Sequence, residues 1–339
     1  NINRSRDTKS LSTHTQTTLG ASSNLNAKND INIKSNDILI SGANLKANDD
    51  INLNANNSLN VKTAQSAYEF DLSGKDTKFK GSILTNQTSS LNAKNIKATA
   101  NDINLVSANL NANEKIELSA NNNIDISSAN DRVYLQSEVT SKGFLSKKKT
   151  VTQSLKEDVL SSNLNANDIS LTSNEDTKIT GSNLTAKDSI AIKADSIDLT
   201  PTAFSNAQTS QTTKSSFGGI SKSMLNTADR SNNLQASNLN ANNIKLTAND
   251  INLLASNIQA TALDINTKIL NLISSKSSNT KTRFKQSSGL ITATITDKGK
   301  ISEVEIPSII KVKDRFILNG NDTVSYTHLR AHETPEHLV

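Results

Sequence analysis

The stretch Ser23-Asn24-Leu25-Asn26-Ala27-Lys28-Asn29-Asp30-Ile31-Asn32-Ile33-Lys34-Ser35-Asn36-Asp37-Ile38-Leu39-Ile40 decides the fold. Its opening phrase returns as Ala43-Asn44-Leu45-Lys46-Ala47, then as Ser90-Leu91-Asn92-Ala93 and Ala108-Asn109-Leu110-Asn111-Ala112. It returns again as Ser162-Asn163-Leu164-Asn165-Ala166, Ser182-Asn183-Leu184-Thr185-Ala186, Ser237-Asn238-Leu239-Asn240-Ala241 and Ser256-Asn257-Ile258-Gln259-Ala260. Leu25 to Leu45 is 20 residues, Leu91 to Leu110 19, Leu164 to Leu184 20 and Leu239 to Ile258 19. The pairs themselves recur after 66, 73 and 75 residues. Self-similarity at such a period marks a stacked-repeat architecture. Here it gives four blocks, each of two coils followed by a non-repeating excursion.

Within a coil, apolar residues alternate with polar ones. Leu25 and Ala27, Ile31 and Ile33, Ile38 and Ile40 share one side; Asn26, Asn32 and Lys34 share the other. Successive side chains of a strand point to opposite faces, so each coil reads as three short strands with aliphatics inward. Asn and Asp sit between them, at Lys28-Asn29-Asp30, Ser35-Asn36-Asp37, Asn48-Asp49-Asp50, Asn101-Asp102 and Asn249-Asp250. These residues tolerate the left-handed conformation and bond their own backbone, which suits tight corners. The prediction is an all-β fold: a right-handed parallel β-helix of three-strand coils, about 20 residues each, with projecting excursions. It occupies 1–272, with excursions near 63–89, 128–161 and 201–236, and 273–323 closes the repeat region. A leucine-rich repeat fails at Ile103-Asn104-Leu105, which is followed by Val106-Ser107-Ala108 with no asparagine, and pentapeptide repeats have the wrong period.

Composition narrows the function. Aromatics are 3% of the chain and there is no Trp, so the core must be thin and aliphatic. There is no Cys, which excludes disulfides and cysteine metal sites and suits export of an unfolded chain into an oxidising space. A net charge of +5 spread over 339 residues is no nucleic-acid footprint, and no apolar run is long enough to span a bilayer. The chain begins Asn1-Ile2-Asn3 without a signal segment and reads as an internal fragment.

These residues resemble the haemagglutinin repeats of filamentous haemagglutinins and contact-dependent growth inhibition exoproteins, over about residues 20 to 320. The likeness rests on Gly181-Ser182-Asn183-Leu184-Thr185-Ala186-Lys187-Asp188-Ser189-Ile190 and its cousins, and on Ser141-Lys142-Gly143-Phe144-Leu145-Ser146-Lys147-Lys148-Lys149-Thr150. Gly289-Leu290-Ile291-Thr292-Ala293-Thr294-Ile295, with Ile306-Pro307-Ser308 and Val312-Lys313-Asp314-Arg315-Phe316, is similar to the segment closing that region. The resemblance implies a secreted, surface-exposed two-partner secretion exoprotein. Its partners would be an outer-membrane Omp85-type transporter during export and a target-cell receptor or glycan. Its role would be cell contact, adhesion or delivery of a C-terminal toxin to neighbouring bacteria. The secretion domain and any recognisable toxin are missing from this sequence, so adhesion and toxin delivery both stay open.

Few residues are candidates for chemistry. His332-Glu333-Thr334-Pro335-Glu336-His337 misses the zinc-protease spacing by one residue and carries a helix-breaking proline. His14 is the one base outside 324–339, with nothing to position it for Ser-His-Asp catalysis. The glycine-rich nonapeptide that cages calcium is absent, so no catalytic residue, metal or cofactor is expected. Segment 324–339, with His328, His332 and His337, resembles a translated sequencing-adapter remnant and is expected not to be native. A partner would meet the excursions, with Lys142, Phe144, Lys147, Lys148 and Lys149 as the candidate contact loop for acidic glycans or lipopolysaccharide; the simpler reading is a solvated hairpin. Phe144, Phe204 and Phe217 are expected to anchor the excursions on the helix wall. The alternative of another class is a carbohydrate-active β-helix enzyme of the polysaccharide lyase or pectinase type, disfavoured by scarce arginine and aromatics.

Overall fold

A computed structural model describes residues 3–7, 10–18 and 22–326. Among them there is no α-helix, only strands and one 3-10 turn at Phe217–Gly219. The strands form two sheets, one of 18 strands and one of ten.

The 18-stranded sheet pairs its strands in parallel, and its register is the repeat itself. Leu25, Leu45, Leu91, Leu110, Leu164, Leu184, Leu239, Ile258 and Ile310 lie directly above one another. A second column runs through Ile31, Ile51, Ile96, Ile116, Ile169, Ile190, Ile244 and Leu263 to Phe316. A third joins Ile38, Leu59, Ile103 and Ile124 to Thr177, Ile197, Ile251 and Leu270. These columns are the hydrophobic core, and the middle of the stack is fully closed: Leu164, Ile190, Ile197 and Ile251 are 0% exposed. Leu25 is 47% exposed because its coil has no described neighbour on its outer side. The described residues form nine such coils, the last made by Ile309–Asn319 and Asp322–Tyr326. Stacked in-register coils are an arrangement compatible with a β-helix.

The polar faces stack as well. Asn109, Asn163, Asn183, Asn238 and Asn257 form an unbroken ladder, each amide nitrogen bonded to the neighbouring amide oxygen at 2.7–2.9 Å. Corner carboxylates also bond between coils. Asp37 accepts from the Ser58 hydroxyl at 2.7 Å and Asp102 from the Asn122 amide at 3.1 Å. The Ser58 hydrogen bond holds the Asp37 carboxyl below the ordinary carboxylate range.

The ten-stranded sheet departs from a wholly parallel solenoid. Every excursion is a β-hairpin, and the hairpins pair with one another in an antiparallel sheet. The five hairpins are Asn3–Asp7 with Ser10–Thr17, Ala64–Ser73 with Thr77–Gln87, Ala129–Gly143 with Ser146–Leu160, Thr202–Ser216 with Ser221–Gln235, and Ser275–Ser288 with Ala293–Ile306. Strand spacing explains the tiling. Two coils rise about 2 × 4.8 Å, and a two-stranded hairpin is about as wide. A hairpin leaving after every second coil therefore lands beside its predecessor at hydrogen-bonding distance. In these hairpins Gly81 is the only described residue that is buried, so the sheet is one layer thick with water on both faces. The Phe70 ring lies over Gly81, its cross-strand partner, and fills the place of the missing side chain.

Residues 327–339, including His328, His332 and His337, lie outside the described residues. Val324, at the start of the expected non-native segment, lies in the last described strand, paired with Asn271.

Candidate functional site

Each hairpin root is built alike. Where the chain leaves the coil, a backbone carbonyl points at the gap: Lys62, Ser127, Thr200 and Ile273. The serine at which the chain returns closes that gap. Ser89 donates to Lys62 O at 2.7 Å, Ser162 to Ser127 O at 2.7 Å, Ser237 to Thr200 O at 2.7 Å and Ser308 to Ile273 O at 2.9 Å. The same carbonyls accept the backbone N–H of Gly42, Ser107, Gly181 and Ala255 at 2.9–3.1 Å. Those four residues end the odd coils with φ of +57°, +48°, +56° and +42°. The left-handed bend lets an odd coil run straight into the next, without a hairpin.

The outer ends of the third, fourth and fifth hairpins are level. Gly143 opposes Ser146, Ser146 opposes Ser216, Ser216 opposes Ser221, and in the next row Lys222 opposes Ser288. The second hairpin is shorter: its Thr77 pairs with Val139, four residues before Gly143. Beyond the level row stand Phe144 at 95% exposure, Leu145, Phe217, Ile220, Leu290 and Ile291 at 91%. Phe144 and Phe217 thus do not anchor the excursions to the helix wall. They lie at the free ends, because the hairpins run outward rather than folding back. Phe204 sits half-buried near a root.

Lysines fill the strands just behind these ends. Lys142 faces Lys147 across the third hairpin, a like-charge pair that disfavours the folded ladder. Lys148 faces Lys214 on the neighbouring hairpin, and Lys222 and Lys285 complete the tier. Lys142 meets Asp76 at 3.7 Å and Lys149 meets Glu138 at 2.9 Å. The Lys149 hydrogen bond holds the Glu138 carboxyl below its ordinary range. Lys147, Lys148, Lys214 and Lys222 make no ion pair among the described residues. A shallow cleft of about 390 Å³ runs between Lys147, Lys149, Lys214, Lys222, Met224 and Gln286. The five residues of the expected contact loop thus lie together on one hairpin end. Sequence reading missed their junction with the fourth and fifth hairpins.

His14 lies elsewhere, its Nδ1 2.9 Å from the Tyr68 hydroxyl in a small aromatic group with Phe70. The described residues contain no cluster of three or more His, Asp or Glu suited to a metal ion. No helix among them is long and apolar enough to cross a membrane.

Two adjoining stretches, residues 4–71 and 71–146, each match the family model described as hemagglutinin repeat. The chain carries a haemagglutinin-repeat region. Each matched repeat takes in two coils and the hairpin strands flanking them. Beyond residue 146 the same coil register continues to the last described strand. Haemagglutinin repeats are a structural and adhesin family rather than an enzyme family, typical of secreted surface proteins. No curated protein and no solved structure matches the chain.

Proposed function

We propose that the chain is a structural and binding segment of a secreted bacterial surface exoprotein of the filamentous haemagglutinin kind. Its role is cell contact: adhesion, or delivery of a C-terminal toxin to neighbouring bacteria, as in contact-dependent growth inhibition exoproteins. The coils wind as a right-handed parallel β-helix, the hand favoured when parallel strands are joined by crossovers. This rod holds the hairpin sheet out to one side, where Lys142, Phe144, Lys147, Lys148 and Lys149 meet the target cell. The observation that carries the reading is the tandem hemagglutinin-repeat match continued by unbroken coil register. Export through an Omp85-type transporter suits a chain without Cys whose coils add one at a time to a growing stack.

The test is an in-frame deletion of the coils and hairpins from the gene, with flanking segments kept. Secretion is followed by protease shaving of intact cells, and function by attachment to target cells and contact-dependent killing. Loss of either activity with export retained is the expected result. Retention of both overturns the proposal.

A further inference from the structure

We infer that the level ends of the third to fifth hairpins form a fringe that docks edge-on onto an anionic lipid bilayer. Phe144, Leu145, Phe217, Ile220, Leu290 and Ile291 enter the interfacial layer, and the lysine tier meets the headgroups. This deepens the reading of the chain as a cell-contact segment and rests on it.

The side chains at the ends serve nothing inside the fold. A tight hairpin turn favours Asn, Asp or Gly, yet each of three turns carries two large apolar residues, between 56% and 95% exposed. Leu145 and Phe217 hold left-handed φ of +57° and +51°, a conformation that costs a residue with a bulky side chain. Exposed apolar groups gathered along one rim mark a contact site rather than ordinary surface.

Charge identifies the partner. Segments 140–150, 212–224 and 285–296 contain seven lysines and no acidic residue. Cross-strand pairing puts Lys142, Lys147, Lys149 and Lys222 on one face of the sheet, and Lys148, Lys214 and Lys285 on the other. Cations on both faces of a single layer suit a surface met by its edge; a glycan or protein lying on a face would call for them on that face alone. Depth agrees too. The lysines of the third and fourth hairpins lie one to three residues behind the level row, roughly 3–10 Å at strand rise. An interfacial element buries its apolar groups about 5–10 Å below headgroups that its basic residues contact.

The intact 339-residue chain is mixed with phosphatidylcholine vesicles, with and without phosphatidylglycerol, and sedimented. Binding to the anionic vesicles alone, weakened by salt, is expected. Each lysine near an anionic surface contributes about fivefold in partition, so K147S/K148S/K214S/K222S lowers binding more than tenfold, as does F144S/F217S/L290S/I291S. The chain has no Trp, so F144W places a single reporter at an end. Its emission shifts blue on anionic vesicles, whereas that of F204W near a root does not. Equal binding by the apolar variant, or an unshifted F144W, overturns the inference. So does displacement from vesicles by a soluble acidic polysaccharide that binds the apolar variant unchanged, which would assign the lysines to a glycan. Absent vesicle binding with cell attachment intact sinks the fringe and leaves the proposed function standing; absence of both sinks both.

Discussion

Ser237 donates its hydroxyl to the Thr200 carbonyl at 2.7 Å, joining the residue where the fourth hairpin returns to the residue before it departs. Ser237 is 0% exposed, and its hydroxyl also reaches the Ile179 carbonyl at 2.9 Å. The Thr200 carbonyl keeps the Gly181 N–H when that hydroxyl is removed, so Ser237→Ala is expected to cost about 0.5–1.5 kcal/mol, the net worth of a hydrogen bond. The cost appears in urea unfolding, with faster amide exchange at the root of Thr202–Gln235 than in the neighbouring coils. An unchanged midpoint would remove the clasp from the account of stability.

Ala255 holds the left-handed corner that glycine fills at Gly42 and Gly181. A Cβ in that conformation costs about 1–2 kcal/mol. Ala255→Gly relieves that strain but gives up a fully buried methyl and frees the unfolded chain, so it is expected to shift stability by less than about 1 kcal/mol. Gly181→Ala should destabilise by more, since its Cβ would come within 2.7 Å of Thr202 Cβ. Paired thermal melts compare the two, and a stabilising Gly181→Ala would refute the corner reading.

Asp125 lies between Asn104 and Lys178 in the stack, with a buried carboxylate oxygen that has no partner. Burial pushes its pKa up, opposed by Lys178. The folded chain therefore binds the proton more tightly than the unfolded one, and stability falls as pH rises from 3.8 through the raised value. Asp125→Asn removes that slope and extends the Asn60–Asn104 ladder. The variant should be more stable than the parent chain at pH 7, and the difference should narrow as pH falls below 3.8. Melting temperatures across that range check the sign.

Thr177 interrupts the third aliphatic column and bonds Ser173 at 2.9 Å, both buried. Thr177→Val alone leaves the Ser173 hydroxyl only a long contact to the Glu175 carbonyl at 3.5 Å and is expected to cost about 1 kcal/mol. Adding Ser173→Ala removes both partners and should recover most of it. Additive losses in the double-mutant cycle would contradict the pairing.

The coils were legible because their information is local and periodic: Leu25 and Leu45 sit 20 residues apart and lie one above the other. The asparagine ladders followed from the same stacking. The hairpin sheet was not legible, since strands such as Thr202–Ser216 alternate Ser, Thr, Gln and Lys with no apolar face to fix a register. Their pairing is set by where the coils release them, a property of distant residues. Ser162 and Ser237 were visible as the first letter of the repeated phrase, but no spacing in the sequence shows which carbonyl they reach. The lysines were visible singly, and only the level hairpin ends bring Lys148 to Lys214.

Because one hairpin spans the rise of two turns of the rod, the protein lengthens in a fixed quantum. Duplicating or deleting a lone turn would shift every later hairpin by half its own width and shear the side sheet, while a duplicated pair would pass unnoticed. Genetic drift in this kind of chain is thereby confined to even steps, and differences in length between units are absorbed in the outer reaches of the hairpins, as the shorter second hairpin shows.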